Sequence, residues 1–190
     1  RRATFNQLLS KSIFEFYRVR IFCRASCIEK IFYRFYHAKN FWMVKNLIEL
    51  LAPAGNFDAL KAAVNAGANA VYLAGNAFGA RAFAKNFDDQ SLESAIRFAH
   101  LHKVAIHVTV NTIVVDSEIE YLAKYLQYLY EIGIDAILVQ DLGAFSIARE
   151  IVPKLPIHAS TQMTIHNLSG VKFLEKLGFN RVVLSRELTI

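Results

Sequence analysis

The chain has 190 residues, of which 54% are hydrophobic, so it is long enough to bury one substantial core. Its mean hydropathy of +0.26 is high for a soluble protein, but no uninterrupted apolar run reaches about 18 residues, which argues against a transmembrane helix. The net charge of +6 could suit a nucleic acid, yet it is so unevenly distributed that it does not by itself indicate one.

The positive charge lies in a leader, residues 1–42. This segment has nine Lys and Arg and two Glu, a net charge of +7, whereas residues 43–190 have thirteen basic and fourteen acidic residues, a net charge of −1. The leader also holds eleven of the 24 aromatic residues. It is compatible with a basic aromatic arm for membrane or RNA, with a targeting peptide, or with upstream sequence translated in frame before Met43. We favour the third interpretation and expect residues 43–190 to form the fold.

Both cysteines, Cys23 and Cys27, lie in this leader. Their C-x3-C spacing lacks a second pair of ligands, so we do not predict a metal site there. After Met43 the sequence contains neither an HExxH motif nor a cysteine, and we predict no metal site in this part either. The absence of a disulfide framework suits a reducing cytoplasm.

After the leader, short apolar runs alternate with amphipathic segments. The predicted strands are continuous apolar runs, which is typical of a parallel sheet covered by helices. They are Ile48–Leu51, Ala70–Leu73, Val104–Val110, Ala136–Val139, Ile157–Ala159 and Arg181–Leu184. The predicted helices lie in "NFDALKAAVNAG", "DDQSLESAIRFAHLH" and "SEIEYLAKYLQYLYEIG". In the last segment, Asp116 and Ser117 are candidate N-caps, and one face carries Ile119, Leu122, Ala123, Leu126, Leu129 and Tyr130.

One turn pattern occurs three times, in "NAGANAVYLA", "EIGIDAILVQ" and "KLGFNRVVLS". Gly67, Gly133 and Gly178 would each end a helix in a left-handed turn. Asn69, Asp135 and Asn180 would then lead the chain into a strand. The repeat predicts a parallel β/α array of about six units. Such an array fits either an open doubly wound sheet or the first three-quarters of an eight-stranded barrel, and the lack of a Gly-x-Gly-x-x-Gly loop disfavours the former.

In either architecture the functional groups gather at the carboxyl ends of the strands. The polar residues at these positions, which we predict to bind substrate, are Asn76, Arg81, Asn111, Gln140, Asp141, His158, Ser160, Gln162, Arg186 and Glu187. The arginines suit an anionic ligand, although they could instead pair with Asp141 and Glu187 and only tie loops together.

The histidines receive separate interpretations. His158 and Ser160 lie two apart on a strand and should face the same way. Neighbours on one strand rarely form a catalytic triad, so we favour polar lining for this pair. His107, within "VAIHVTV", is predicted to be a histidine of the core or barrel interior, and His100 and His102 to lie near a helix end.

The motifs "ELLAPAGNFDALKAAVNAGANAVYLAG", "FGARAFAKNF", "VTVNT", "VQDLG", "HASTQM" and "LSRELT" together resemble the collagenase-like peptidase family, family thirty-two among peptidases of unassigned type. The resemblance covers residues 47–190 and implies an α/β fold, a TIM-like (β/α)8 barrel of which about six units are present. It implies a cytoplasmic enzyme with a protease label, while several relatives act in oxygen-independent hydroxylation of tRNA, rRNA or a quinone precursor. Those relatives hold an iron–sulfur cluster through cysteines downstream of this region. We therefore expect an N-terminal fragment whose cluster ligands would follow Ile190.

Three functions remain open at this stage. The first is a peptidase acting on a peptide or an anionic small molecule. The second is iron–sulfur-dependent hydroxylation of RNA, and the third is a non-catalytic scaffold. The neutral body gives no electrostatic argument for RNA, no membrane partner is expected, and catalytic residues are not assigned.

Overall fold

The computed structural model describes residues 49–80 and 86–188. The expectations for the leader, for Cys23 and Cys27, and for Arg81 concern residues outside these ranges. Within them, six strands pair in parallel and follow one another in chain order across a single sheet. The strands are β1 (Leu51–Pro53), β2 (Ala70–Leu73), β3 (Ala105–Val110), β4 (Ala136–Val139), β5 (Ile157–Ala159) and β6 (Arg181–Val182).

Helices connect successive strands and cover one side of the sheet. They are α1 (Phe57–Asn65), α2 (Asp89–Leu101), α3 (Ile119–Glu131), α4 (Leu142–Ile151) and α5 (Leu168–Leu177), with short 3-10 turns at Asp116–Glu118 and Thr161–Met163. The predicted β/α array is therefore confirmed. None of the helices in the described part is long and apolar enough to cross a membrane.

The first strand is displaced from its predicted position. It was expected at Ile48–Leu51, but the chain pairs with β2 at Leu51–Pro53, and the Ala54 amide continues the ladder to the Tyr72 carbonyl at 3.0 Å. The prediction ended the strand with the apolar run at Leu51, because a proline such as Pro53 usually marks a loop. Here Pro53 lies in the outermost strand of the described sheet, where a missing N–H is tolerated.

The three repeated turns use one hydrogen-bonding device. Gly67, Gly133 and Gly178 have φ values of 84°, 84° and 103°, which confirms the predicted left-handed turns. Two residues after each glycine, an Asn or Asp makes two hydrogen bonds with the backbone at the start of the strand that comes before the helix. Its side chain accepts one, and its backbone amide donates the other. The Asn69, Asp135 and Asn180 side chains accept from the amides of Leu50, Ile106 and Ile157 at 2.8, 2.7 and 3.0 Å. The backbone amides of Asn69, Asp135 and Asn180 donate in turn to the backbone carbonyls of the same three residues. The device thus joins β1 to β2, β3 to β4, and β5 to β6.

The two faces of the sheet differ in chemistry. The helix side holds the apolar core, with residues such as Val71, Ile106, Val108, Ile137 and Ile157, all less than 1% exposed. Because side chains alternate along a strand, their neighbours point to the opposite face. That face carries buried polar groups, namely His107, His158, Ser160 and Arg181. The prediction that His107 lies in the core or barrel interior is therefore confirmed.

An ion pair on the inner face shows that the sheet is strongly curved. The two terminal guanidinium nitrogens of Arg181 in β6, Nη1 and Nη2, donate hydrogen bonds to the Glu49 carboxylate next to β1, at 3.1 and 2.9 Å. In a flat sheet, β1 and β6 would lie roughly 24 Å apart, since neighbouring strands are about 4.8 Å apart. Two side chains cannot span that distance, so the strands curl into a half-barrel with the polar face inside.

Helix α3 departs from its predicted details. The 3-10 turn at Asp116–Glu118 precedes it, and the Glu118 carboxylate accepts a hydrogen bond from the Val115 amide at 3.0 Å. Asp116 and Ser117 are therefore not the helix N-caps. Tyr130, which the periodicity places on the buried face, is 44% exposed, whereas Tyr125 is buried. Leu122, Leu126 and Leu129 of the predicted face are buried, so the predicted face is confirmed at its centre, with Tyr125 buried in addition.

Candidate substrate-binding site at the barrel mouth

Three of the predicted site residues meet at the carboxyl end of the half-barrel. Asn111 follows β3 and Ser160 follows β5, and the side-chain amide nitrogen of Asn111 donates to the Ser160 hydroxyl at 3.4 Å. The Ser160 hydroxyl also lies 3.4 Å from both the side-chain oxygen and the backbone nitrogen of Gln162. The Asn111 side-chain oxygen, Oδ1, accepts from the Ala80 backbone amide at 3.1 Å. These uncharged hydrogen-bonding groups join three loops around the mouth.

His158 lies on the inner wall below Ser160. It is 5% exposed, and its ring stands edge-to-face with that of His107, with a centroid separation of 4.8 Å and an interplanar angle of 87°. Among the hydrogen bonds of the described residues, the Ser160 hydroxyl contacts amides and not His158. The arrangement is therefore a polar lining and not a nucleophile paired with its base.

The loop after β2 contributes an aromatic group that the sequence did not reveal. Phe78 has a φ of 54°, which is uncommon for a bulky residue. The Phe78 backbone carbonyl accepts hydrogen bonds from the Asn111 backbone amide at 2.8 Å and from the Thr112 hydroxyl at 3.3 Å. These contacts hold the unusual conformation. Its ring packs against Tyr121 and Tyr125, with centroid separations of 5.3 and 5.8 Å.

Tyr125 supports this loop from below. A Cβ atom at Gly75 would clash with the Tyr125 hydroxyl, so the loop approaches the ring closely only because residue 75 is glycine. Burial is the main cause that raises the pKa of the Tyr125 phenol well above its ordinary value. The phenol therefore stays neutral at physiological pH and acts here as a packing group.

Several other predicted residues make local structural contacts. The Asn76 amide donates to the Asp89 carboxylate at 2.8 Å, and Asp141 caps α4 by accepting from the Ala144 amide at 2.8 Å. Glu187 is exposed, and a hydrogen bond with Ser185 is the main cause that lowers the pKa of its carboxyl. Arg186 is exposed, and Gln140 is half-buried directly after β4.

The described residues do not fit an iron–sulfur cluster. They contain no group of three His, Cys, Asp or Glu side chains that could hold a metal ion. The donors at the mouth are amides, hydroxyls and imidazoles, whereas such clusters are held mainly by cysteine thiolates. Residues outside the described ranges would have to provide the ligands.

Comparison with known proteins identifies the family. The model of Peptidase family U32 matches residues 55–190. The chain belongs to this family. A solved structure, that of the U32 peptidase Mk0906, matches with a TM-score of 0.58 over 72% of this chain and 57% of that one, at 11% identity. That likeness supports the half-barrel fold.

Curated relatives in the family carry two kinds of name. The chain is 39% identical over 143 residues to the 23S rRNA 5-hydroxycytidine C2501 synthase of Escherichia coli, and 37% identical over 139 residues to tRNA hydroxylation protein P1 of Bacillus subtilis. It is 32% identical over 146 residues to a collagenase of Porphyromonas gingivalis. These alignments cover 73–76% of this chain but only 21%, 33% and 34% of the three relatives.

Proposed function

We propose that this U32 family chain is part of an enzyme that hydroxylates a nucleobase in RNA, acting in the cytoplasm. The observation that carries the proposal is its similarity, at 39% and 37% identity, to two proteins named for rRNA and tRNA hydroxylation. The mouth of the half-barrel is compatible with such a substrate. Its side chains are mainly amide and hydroxyl groups, which suit the polar edges of an unstacked base.

In this proposal Asn111, Ser160 and Gln162 form the hydrogen-bonding rim that orients the base. The rim joins loops from three different strands, so a base held there would face the concave interior. His158, deeper on the same wall, would contact the base from within. An RNA base reaches such a recessed site only when it is single-stranded or flipped out of its stack.

Peptide hydrolysis is the second candidate, favoured by the family name and by the collagenase relative. The geometry of the described residues gives it less support, because the Ser160 hydroxyl is held by amides and no base contacts it. A peptidase would therefore need its nucleophile elsewhere in the protein.

An assay on the purified full-length protein separates the two candidates. We expect no cleavage of gelatin or casein, whether or not iron has been removed with a chelator. Gelatin cleavage that survives iron removal would overturn the proposal and favour the peptidase. Its loss in a Ser160→Ala variant would further show that Ser160 takes part, against the geometry described above. An Asn65→Ala variant, altered at the far end of α1, serves as the matched control.

A further inference from the structure

The hydrogen bonds within the rim of the mouth have a fixed direction. The Asn111 side-chain oxygen accepts from the backbone amide of Ala80 at 3.1 Å. A backbone N–H can only donate, so this contact determines which end of the Asn111 side-chain amide is the oxygen. The nitrogen end is therefore the one that lies 3.4 Å from the Ser160 hydroxyl, and one of its N–H groups donates there.

The Ser160 hydroxyl passes this direction on to Gln162. It accepts from the Asn111 side-chain nitrogen and from the Gln162 backbone amide, each at 3.4 Å. A hydroxyl has two acceptor lone pairs and one donor hydrogen, so both lone pairs are used and the hydrogen is left to donate. The side-chain oxygen of Gln162, also at 3.4 Å, accepts that hydrogen. The amino end of the Gln162 side chain is consequently turned away from Ser160.

The two side-chain amides thus offer the same polarity to a ligand. Ser160 is only 4% exposed, whereas Gln162 is exposed and Asn111 is half-buried. Among the hydrogen bonds of the described residues, both amide oxygens are directed at donors of the protein itself, the Ala80 amide and the Ser160 hydroxyl. The groups that remain for a ligand are N–H groups of Asn111 and Gln162, and all of these are donors.

From this polarity we infer that the rim binds its substrate by an edge of hydrogen-bond acceptors, with Gln162 as the specificity-determining residue. That the substrate is an RNA base rests on the proposed function. A pyrimidine fits because its O2 carbonyl is an acceptor, whereas an exocyclic amino group would place donors against donors. A polar site rejects strongly any ligand that leaves its groups unpaired, so a rim of one polarity discriminates between these two edges.

Neutron diffraction tests the polarity without reference to any reaction. In crystals of the full-length protein exchanged into D2O, we expect a deuteron on the Asn111 side-chain nitrogen to be directed at the Ser160 oxygen. The Ser160 deuteron should be directed at the side-chain oxygen of Gln162. A Ser160 deuteron directed at Asn111 would overturn the inference, and so would the Gln162 side-chain nitrogen in place of its oxygen beside Ser160.

Substitutions at Gln162 test whether the substrate is recognised through this polarity. Gln162→Glu keeps the shape and the oxygen that faces Ser160 but replaces the outward amino group by an acceptor, whereas Gln162→Met only removes the donor. On RNA isolated from cells lacking the protein, Gln162→Met should lower kcat/KM by about 2- to 10-fold, the effect of one lost hydrogen bond. Gln162→Glu should lower kcat/KM at least about tenfold further, because an acceptor would then face an acceptor.

Gln90→Glu is the matched control for the added negative charge. Gln90 is exposed in the first turn of α2 and has no contact with the rim among the described hydrogen bonds. Its variant should therefore keep the wild-type kcat/KM. A loss in Gln90→Glu as large as in Gln162→Glu would contradict the inference, since charge repulsion from the RNA would then explain both.

The remaining outcomes separate this inference from the proposed function. Equal losses in Gln162→Glu and Gln162→Met, or a Gln162→Glu more active than Gln162→Met, would overturn the inference, because the substrate would then present no acceptor to this residue. Absence of RNA hydroxylation by the wild type would refute the proposed function, and the deuteron positions would still decide the polarity of the rim. Because Gln162 is exposed, both variants should fold, which circular dichroism checks.

Discussion

Among the polar contacts of the half-barrel, the ion pair between Glu49 and Arg181 should be the one whose loss destabilises the protein most. The pair is bidentate, and its side chains are only 12% and 9% exposed. Burial lowers the pKa of the Arg181 guanidinium, which shows that the surroundings disfavour its charge. In Glu49→Gln the cation would remain buried without its counter-charge. Breaking such a pair costs about 3–5 kcal/mol.

A loss of that size should lower the melting temperature of the full-length protein by about 6–20 °C, as measured by circular dichroism. Glu120→Gln is the matched control, because it makes the same substitution in the exposed pair between Glu120 and Lys124. Exposed pairs contribute little, so the control should melt almost as the wild type does. Equal melting temperatures for Glu49→Gln and Glu120→Gln would refute the argument that this contact stabilises the curved sheet.

Three further predictions concern the backbone. Gly75→Ala should destabilise the protein by about 1–3 kcal/mol because the new methyl meets the Tyr125 hydroxyl. Adding Tyr125→Phe should restore much of this loss in urea unfolding, and failure to do so would contradict the clash. Gly133→Ala should cost about 1–2 kcal/mol by the same measurement, since the left-handed φ is its only obstacle. Gly55→Ala, in open space, should cost far less, and equal losses would count against backbone strain. Asp135→Ala should cost about 1–3 kcal/mol by leaving a buried amide unpaired, whereas Asp135→Asn should be tolerated because asparagine serves at both equivalent turns. A loss in Asp135→Asn as large as in Asp135→Ala would show that its charge matters more than the backbone contact.

The order and type of the elements could be predicted from local patterns. Strands β2, β4 and β5 have the predicted bounds, because each is an apolar run that follows a helix and a turn. The three turns were also recognisable, since Gly followed by Asn or Asp is a local signal. The core residues on the helix side of the sheet could be predicted from the same apolar runs.

Contacts that depend on curvature were not predictable from one sequence. Glu49 and Arg181 are 132 positions apart and meet only because the sheet curls. The same holds for the contact between Asn111 and Ser160, although each residue was placed correctly at the end of its strand. Phe78 gave no signal, because its conformation depends on hydrogen bonds from the end of β3.

The most direct test of the proposed function is nucleoside mass spectrometry of rRNA and tRNA from cells that lack this protein. We predict that one hydroxylated pyrimidine disappears and that the full-length gene restores it. An unchanged set of modified nucleosides in both RNA classes would contradict the proposal that this U32 family member acts in RNA hydroxylation.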